Sequence, residues 1–144
     1  MFTLENLFLS YKEFIRGKSN KPDVSFFTMR LYQNLKEISE NVLDGKYVHG
    51  KYETFVLMDT KKRRIHKATV KDRIIHYNLF KFLYPFFEKV FIYQSFSCRI
   101  DKGPIKACEL FSEYIRKVGR NNTKQVNVLK LDIKKCFPMW TKKF

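Results

Sequence analysis

NVLKLDIKKCF, residues 127–137, sets a single acid, Asp132, inside an aliphatic run of Val128, Leu129, Leu131 and Ile133. A short β-prone run behind the polar turn Asn121 to Lys124 predicts a buried strand. An aspartate in such a strand is costly to bury unless it is paired or bound to a cation. A lone strand aspartate is more often a cap or a salt-bridge partner, so Asp132 takes its meaning from what precedes it.

Outward from that strand, Pro104 behind Gly103 opens a predicted helix that Gly119 ends, with a stripe of Ala107 or Cys108, Phe111, Tyr114 or Ile115, and Val118. Residues 91–103 read as irregular. Thr69-Val70-Lys71-Asp72 opens another helix in the manner of a capping box, predicted to run to Tyr84 and to restart or kink at Pro85. Before it, Tyr47 to Val48, Phe55 to Met58 and Arg64 to Lys67 are short and β-prone, and Asp59 to Lys62 reads as a turn, giving a small hairpin. Two helices lead the chain. One spans 3–16 and stops at Gly17. The second runs from Asp23 or Ser25 to about Leu43, with a stripe of Phe27, Leu31, Leu35, Ile38 and Val42 and a stop at Asp44-Gly45.

The chain has 144 residues, 44% of them apolar, which suffices for a core. Its formal net charge of +15 favours a polyanionic partner. Residues 45–76 concentrate that charge, with nine Lys and Arg against Glu53, Asp59 and Asp72, or +6. Fifteen Phe and eight Tyr accompany the cations. Most such rings belong to a core, but rings beside cations also suit unstacked nucleic acid. No stretch approaches the length of a membrane span, and Glu5, Lys12 and Glu13 argue against a secretory leader. Cys98, Cys108 and Cys136 fit no zinc spacing, and a reduced, cytoplasmic chain is expected. His49, His66 and His76 share no ligand spacing and read as ordinary.

The order of features is more specific than any one of them. A basic hairpin (KKRRIHKA, 61–68) precedes VKDRIIHYNLF (70–80), then YPFFEKVFIYQSFSCRIDKGPIKA (84–107), then VLKLDIKKCF (128–137). This run resembles the reverse transcriptases of bacterial retroelements: group II introns, retrons and diversity-generating elements. The resemblance covers about residues 47–137. Residues 1–46 carry no diagnostic motif.

The resemblance implies an α+β fold: helical fingers with a small basic β-hairpin and the first strand of a polymerase palm. The expected division is an N-terminal helical region at 1–46, fingers at 47–124, the palm strand at 125–137 and an aberrant tail at 138–144. It also implies RNA-directed DNA polymerase activity with Mg2+, an RNA template, a DNA primer and a dNTP. Asp132 would be the first metal-binding carboxylate and the backbone carbonyl of Ile133 a secondary ligand. Lys62 and Arg64 would reach over the dNTP triphosphate, where cations neutralise and position the phosphates. Arg99, Lys102 and Gly103 would lie near the template. Asp72 and Arg73 would serve either as a cap with a buried pair or as template contacts, and Phe137 would fill the family's aromatic position.

The tail PMWTKKF (138–144) departs from the family. Met139 and Trp140 have one codon each, so shifting the frame back one nucleotide turns Met139-Trp140-Thr141 into Asn, Asp, His or Tyr followed by Val-Asp, as the family expects. A frameshift near Cys136, real or a sequencing error, is therefore expected. The family's paired aspartates lie further downstream, and two-metal phosphoryl transfer needs them, so the chain alone is not expected to polymerise. The alternative function is a non-catalytic basic module that binds RNA or DNA. A membrane-surface role has less support, because the first helix is amphipathic without being notably basic.

Overall fold

Thr3 starts the first helix by accepting the N–H of Asn6 on its side chain at 3.4 Å, which satisfies one of the donors a helix N-terminus leaves open. The structure, a computed structural model, describes residues 1–133. Expectations for Cys136, Phe137 and the tail 138–144 lie outside those residues. The chain divides into two compact units, Met1–Phe91 and the residues from Ile92 onward.

The first unit is built on four helices: α1 (Leu4–Phe14), α2 (Pro22–Met29), α3 (Leu31–Leu43) and α4 (Val70–Glu88). Its core is Leu7, Tyr11 and Phe14 of α1, Val24 and Phe27 of α2, Leu35 and Ile38 of α3, and Val70 and Ile74 of α4. Polar ties between α1 and α4 flank the apolar contact. Ser10 donates to Asn78 Oδ1 at 2.9 Å, and Glu13 accepts Tyr77 Oη at 2.9 Å and Lys81 Nζ at 2.8 Å.

The expected single helix from Asp23 to Leu43 is broken at Arg30 (φ −120°, ψ 37°). Side chains explain the break. Thr28 Oγ1 donates to the Val24 carbonyl at 2.7 Å, and Asn34 Nδ2 donates to the Phe27 carbonyl at 2.9 Å. Local side-chain bonds of this kind compete with the helical ladder and bend it. The stop at Asp44-Gly45 holds. Gly45 takes φ +68°, and the N–H groups of Lys46 and Gly45 bond the carbonyls of Asn41 and Val42, the left-handed end that glycine permits.

The two strands are β1 (Glu53–Met58) and β2 (Lys62–Lys67), antiparallel, with Val56 opposite Arg64 and Met58 opposite Lys62. Lys62 is therefore in the strand rather than the turn, and Tyr47 to Val48 adds no strand. No helix packs along the hairpin's length, and every residue of β1 is exposed.

Helix α4 runs through Pro85 to Glu88 instead of stopping at Tyr84. Proline holds a helical φ and removes one hydrogen bond. Here that loss falls on the exposed half of the helix, where Phe82 and Phe86 are 62% and 66% exposed.

In the second unit, turns at 92–103 lead into α5 (Pro104–Val118), bounded by Gly103 and Gly119 as the sequence predicts. Two expectations fail there. The stripe on α5 is not a core, since the helix has no buried residue. Residues 125–133 form no strand, and Val128, Leu129, Leu131 and Ile133 are 57% to 82% exposed. A strand exists through its ladder, and among the described residues none pairs with this segment. The coarse α+β class holds, with five helices and one two-stranded sheet among the described residues. No described helix is long and apolar enough to cross a membrane.

Candidate nucleic-acid interface

Alternation along a strand decides which hairpin cations act together. Side chains two apart in β2 share a face, and directly opposed residues of β1 join them. Lys62, Arg64 and His66 thus share a face with Met58, Val56 and Thr54, while Arg63 lies on the other with Leu57, Phe55 and Ile65. Lys62, Arg63 and Arg64 are exposed, and none has an ion-pair partner among the described residues. The two residues expected at the triphosphate are thus neighbours on one open face.

The hairpin's root is held by Asp72, which is fully buried. Its carboxylate accepts the Tyr47 hydroxyl, the Gly50 N–H at 3.2 Å and the Thr69 hydroxyl at 2.5 Å. Its own N–H donates to Thr69 Oγ1 at 3.3 Å, closing the α4 cap. Burial alone would raise the Asp72 carboxyl; these donors outweigh it and hold the group below the usual carboxylate range. Burial and the adjacent carboxylate push the Tyr47 phenol well up. Gly50 is required by the close approach, because a Cβ there would lie 2.6 Å from Thr69 Cγ2 and 3.0 Å from Asp72 Oδ2.

A second tie uses charge. Asp23 on α2 pairs with Arg73 of α4 at 2.5 Å and with Lys67 of β2 at 2.9 Å, and Lys67 also reaches Glu53 of β1 at 3.3 Å. Burial opposes ionisation of Asp23, but the two cations prevail and lower its carboxyl. Asp72 and Arg73 thus form a cap and an ion pair, though Arg73 pairs with Asp23 rather than with its neighbour. Beside this root, a cleft of about 730 Å3 is lined by Phe26, Met29, Arg30, Asn34 and Tyr47 among others.

The histidines, unremarkable by spacing, are gathered at this root. His49 stacks on His76 with ring centroids 5.4 Å apart, and Tyr52 lies between His49 (4.9 Å) and His66 (6.4 Å). His49 Nε2 is 3.8 Å from Asp72 Oδ1. Nothing in the linear pattern shows this grouping, because the hairpin's fold-back creates it.

The remaining candidates lie in the second unit. Arg99 Nη1 donates to the carbonyls of Ile92 and Ser95, both at 2.9 Å. Lys102 Nζ donates to the Tyr93 carbonyl at 2.6 Å and sits over the Tyr93 and Phe96 rings. Both cations therefore brace their own loop. Asp132 and Ile133 are exposed in the segment 125–133, which forms no strand. Among the described residues no group of three His, Cys, Asp or Glu could hold a metal ion. No protein-family model and no curated protein matches the chain.

Proposed function

We propose that this chain is the N-terminal part of an RNA-directed DNA polymerase, with the hairpin at 53–67 lying over the phosphates of an incoming dNTP. The observation that carries the proposal is the pair Lys62 and Arg64: two exposed cations on one face, without ion-pair partners among the described residues. Two positive groups held about one strand repeat apart suit a triphosphate, whose charge they neutralise without chemistry of their own. The motif order from the hairpin to Asp132 supplies the rest of the support. Asp72 and Asp23 fix the hairpin's root, so the cations project from a defined base.

On this proposal Mg2+ is the cofactor, and Asp132 with the Ile133 carbonyl contributes to its site. The described residues do not complete that site. RNA template and DNA primer would add a salt-dependent contact with the basic surface.

A second reading, a non-catalytic RNA- or DNA-binding module, draws on the net charge of +15 and on the bonds of Arg99 and Lys102 to their own loop. One experiment separates the two. Asp132→Asn, in a chain that also carries the family's paired aspartates, should abolish primer extension and leave RNA binding nearly intact. Extension that survives the substitution rules out the polymerase assignment.

A further inference from the structure

Lys62 and Arg64 do not end their row. His66 continues it on the same face of the hairpin, with Thr54, Val56 and Met58 opposite, and no strand residue of that face is acidic. Glu53 lies on the other face, where it pairs with Lys67. Successive members of the row are about 7 Å apart along the strand, so a triphosphate centred on Arg64 has Lys62 at one end and His66 at the other. His66 is exposed, and two contacts fix its ring. Nδ1 shares a hydrogen bond with Thr54 Oγ1 at 2.9 Å, and Tyr52 meets the ring edge-on at 6.4 Å. Nε2 is left for a ligand. Tyr52 also lies against His49 at 4.9 Å, and His49 stacks on His76 of α4 and faces Asp72 at 3.8 Å. The rings thus run from β2 back to the hairpin's root, and the imidazoles differ in surroundings. His49 has a carboxylate beside it. His66 has Thr54 of β1, Tyr52 ahead of β1 and the Arg64 cation of its own strand.

We propose that His66 is a third binding residue for the triphosphate tail, engaged as the imidazolium, so that this face holds its anion more tightly as pH falls. The inference rests on the placement of Lys62 and Arg64 over the phosphates. An imidazole changes charge between pH 5 and 8. Neutral, it has one N–H to divide between Thr54 and an anion. Protonated, it donates from both nitrogens, to Thr54 Oγ1 and to a phosphate oxygen, and adds a third positive charge to the row. A bound anion favours the charged form of a neighbouring group. The coupling is reciprocal: binding draws a proton onto His66, and acid strengthens binding.

The test is the affinity of the full 144-residue chain for inorganic triphosphate, by calorimetric titration at low salt from about pH 5.5 to about pH 8. Triphosphate itself takes up protons in this range, so the readout is the ratio of wild-type to His66→Gln affinity. That ratio should be about fivefold at the acid end and close to one at the alkaline end. His66→Lys, a permanent cation, should hold the acid-end advantage over His66→Gln at every pH. His49→Gln and His76→Gln should keep the wild-type pH dependence. A second readout needs no variant of the row. Followed by NMR in the wild-type chain, the titration midpoint of the His66 ring should rise when triphosphate is added, while those of His49 and His76 stay in place. A ratio that does not change with pH, a His66 midpoint indifferent to triphosphate, or a pH dependence lost in His49→Gln would overturn the inference and leave Lys62 and Arg64 standing. Triphosphate affinity indifferent to Lys62→Ala with Arg64→Ala would overturn the reading beneath it as well.

Discussion

Leu7, Leu35, Ile38 and Ile74 of the helical core are at most 1% exposed, whereas Phe55, Val56, Leu57 and Met58 of the hairpin are at least 44% exposed. The two regions share one compact unit yet rest on different physics. The core gains from apolar burial, with the Ser10–Asn78 bond satisfying polar groups caught in it. The hairpin gains little from burial and depends on its ladder and on the polar root at Asp72 and Asp23. Changes at the root should therefore register as stability, and changes on the ribbon as binding.

The largest expected effect is at the root. Asp72→Ala strips the acceptor from Tyr47, Gly50 and Thr69 in a buried site and should cost about 3 kcal/mol in chemical denaturation. The wild-type chain should also lose stability in acid. The Asp72 carboxyl sits lower folded than unfolded, so its contribution is present above about pH 3.9 and is lost as pH falls through the lower folded value. The variant should show a shallower acid slope over that range. On the ribbon, Lys62→Ala with Arg64→Ala should lower affinity for a dNTP by about tenfold, read by titration at low salt. The denaturation midpoint should not move, and a shift there would mean that these cations help hold the fold. Gly50→Ala should cost about 1–2 kcal/mol as Thr69 yields to the new Cβ. Smallest is Phe86→Ser, on the exposed half of α4, at under about 0.5 kcal/mol by the same denaturation assay.

Where a local signal fixes a boundary, the sequence was enough. Thr3, Thr69, Pro104 and Gly119 mark helix ends that the fold keeps, because capping involves residues only a few positions apart. The hairpin was legible from its β-prone runs and turn, but the shared face of Lys62 and Arg64 follows from strand period only once Lys62 is placed in β2 rather than in the turn. What could not be read depended on distant partners. The break at Arg30 comes from Thr28 and Asn34 bonding the backbone, a choice helical periodicity does not reveal. The strand expected at Asp132 needs a neighbour that composition cannot supply. The internal bonds of Arg99 and Lys102 follow from the turns that bring Ile92, Ser95 and Tyr93 under their side chains. Of the candidate site, Lys62 and Arg64 were identified as a pair, while the Asp72 root emerged only once Tyr47 and Gly50 were folded against it.

The root also has a consequence for chain continuity. The hairpin's turn, Asp59 to Lys61, runs straight into Lys62-Arg63-Arg64 and is exposed throughout, so a protease that cuts after basic residues meets its preferred sequence at a loop tip. A cut there would leave β2 covalently joined to α4, and β1 joined to α3. The Asp72 bonds to Tyr47 and Gly50, with the Lys67–Glu53 and Lys67–Asp23 pairs, lie on the far side of the cut and span the two pieces. The fragments should therefore stay associated after nicking, running as two bands under denaturing conditions and as one species in native solution.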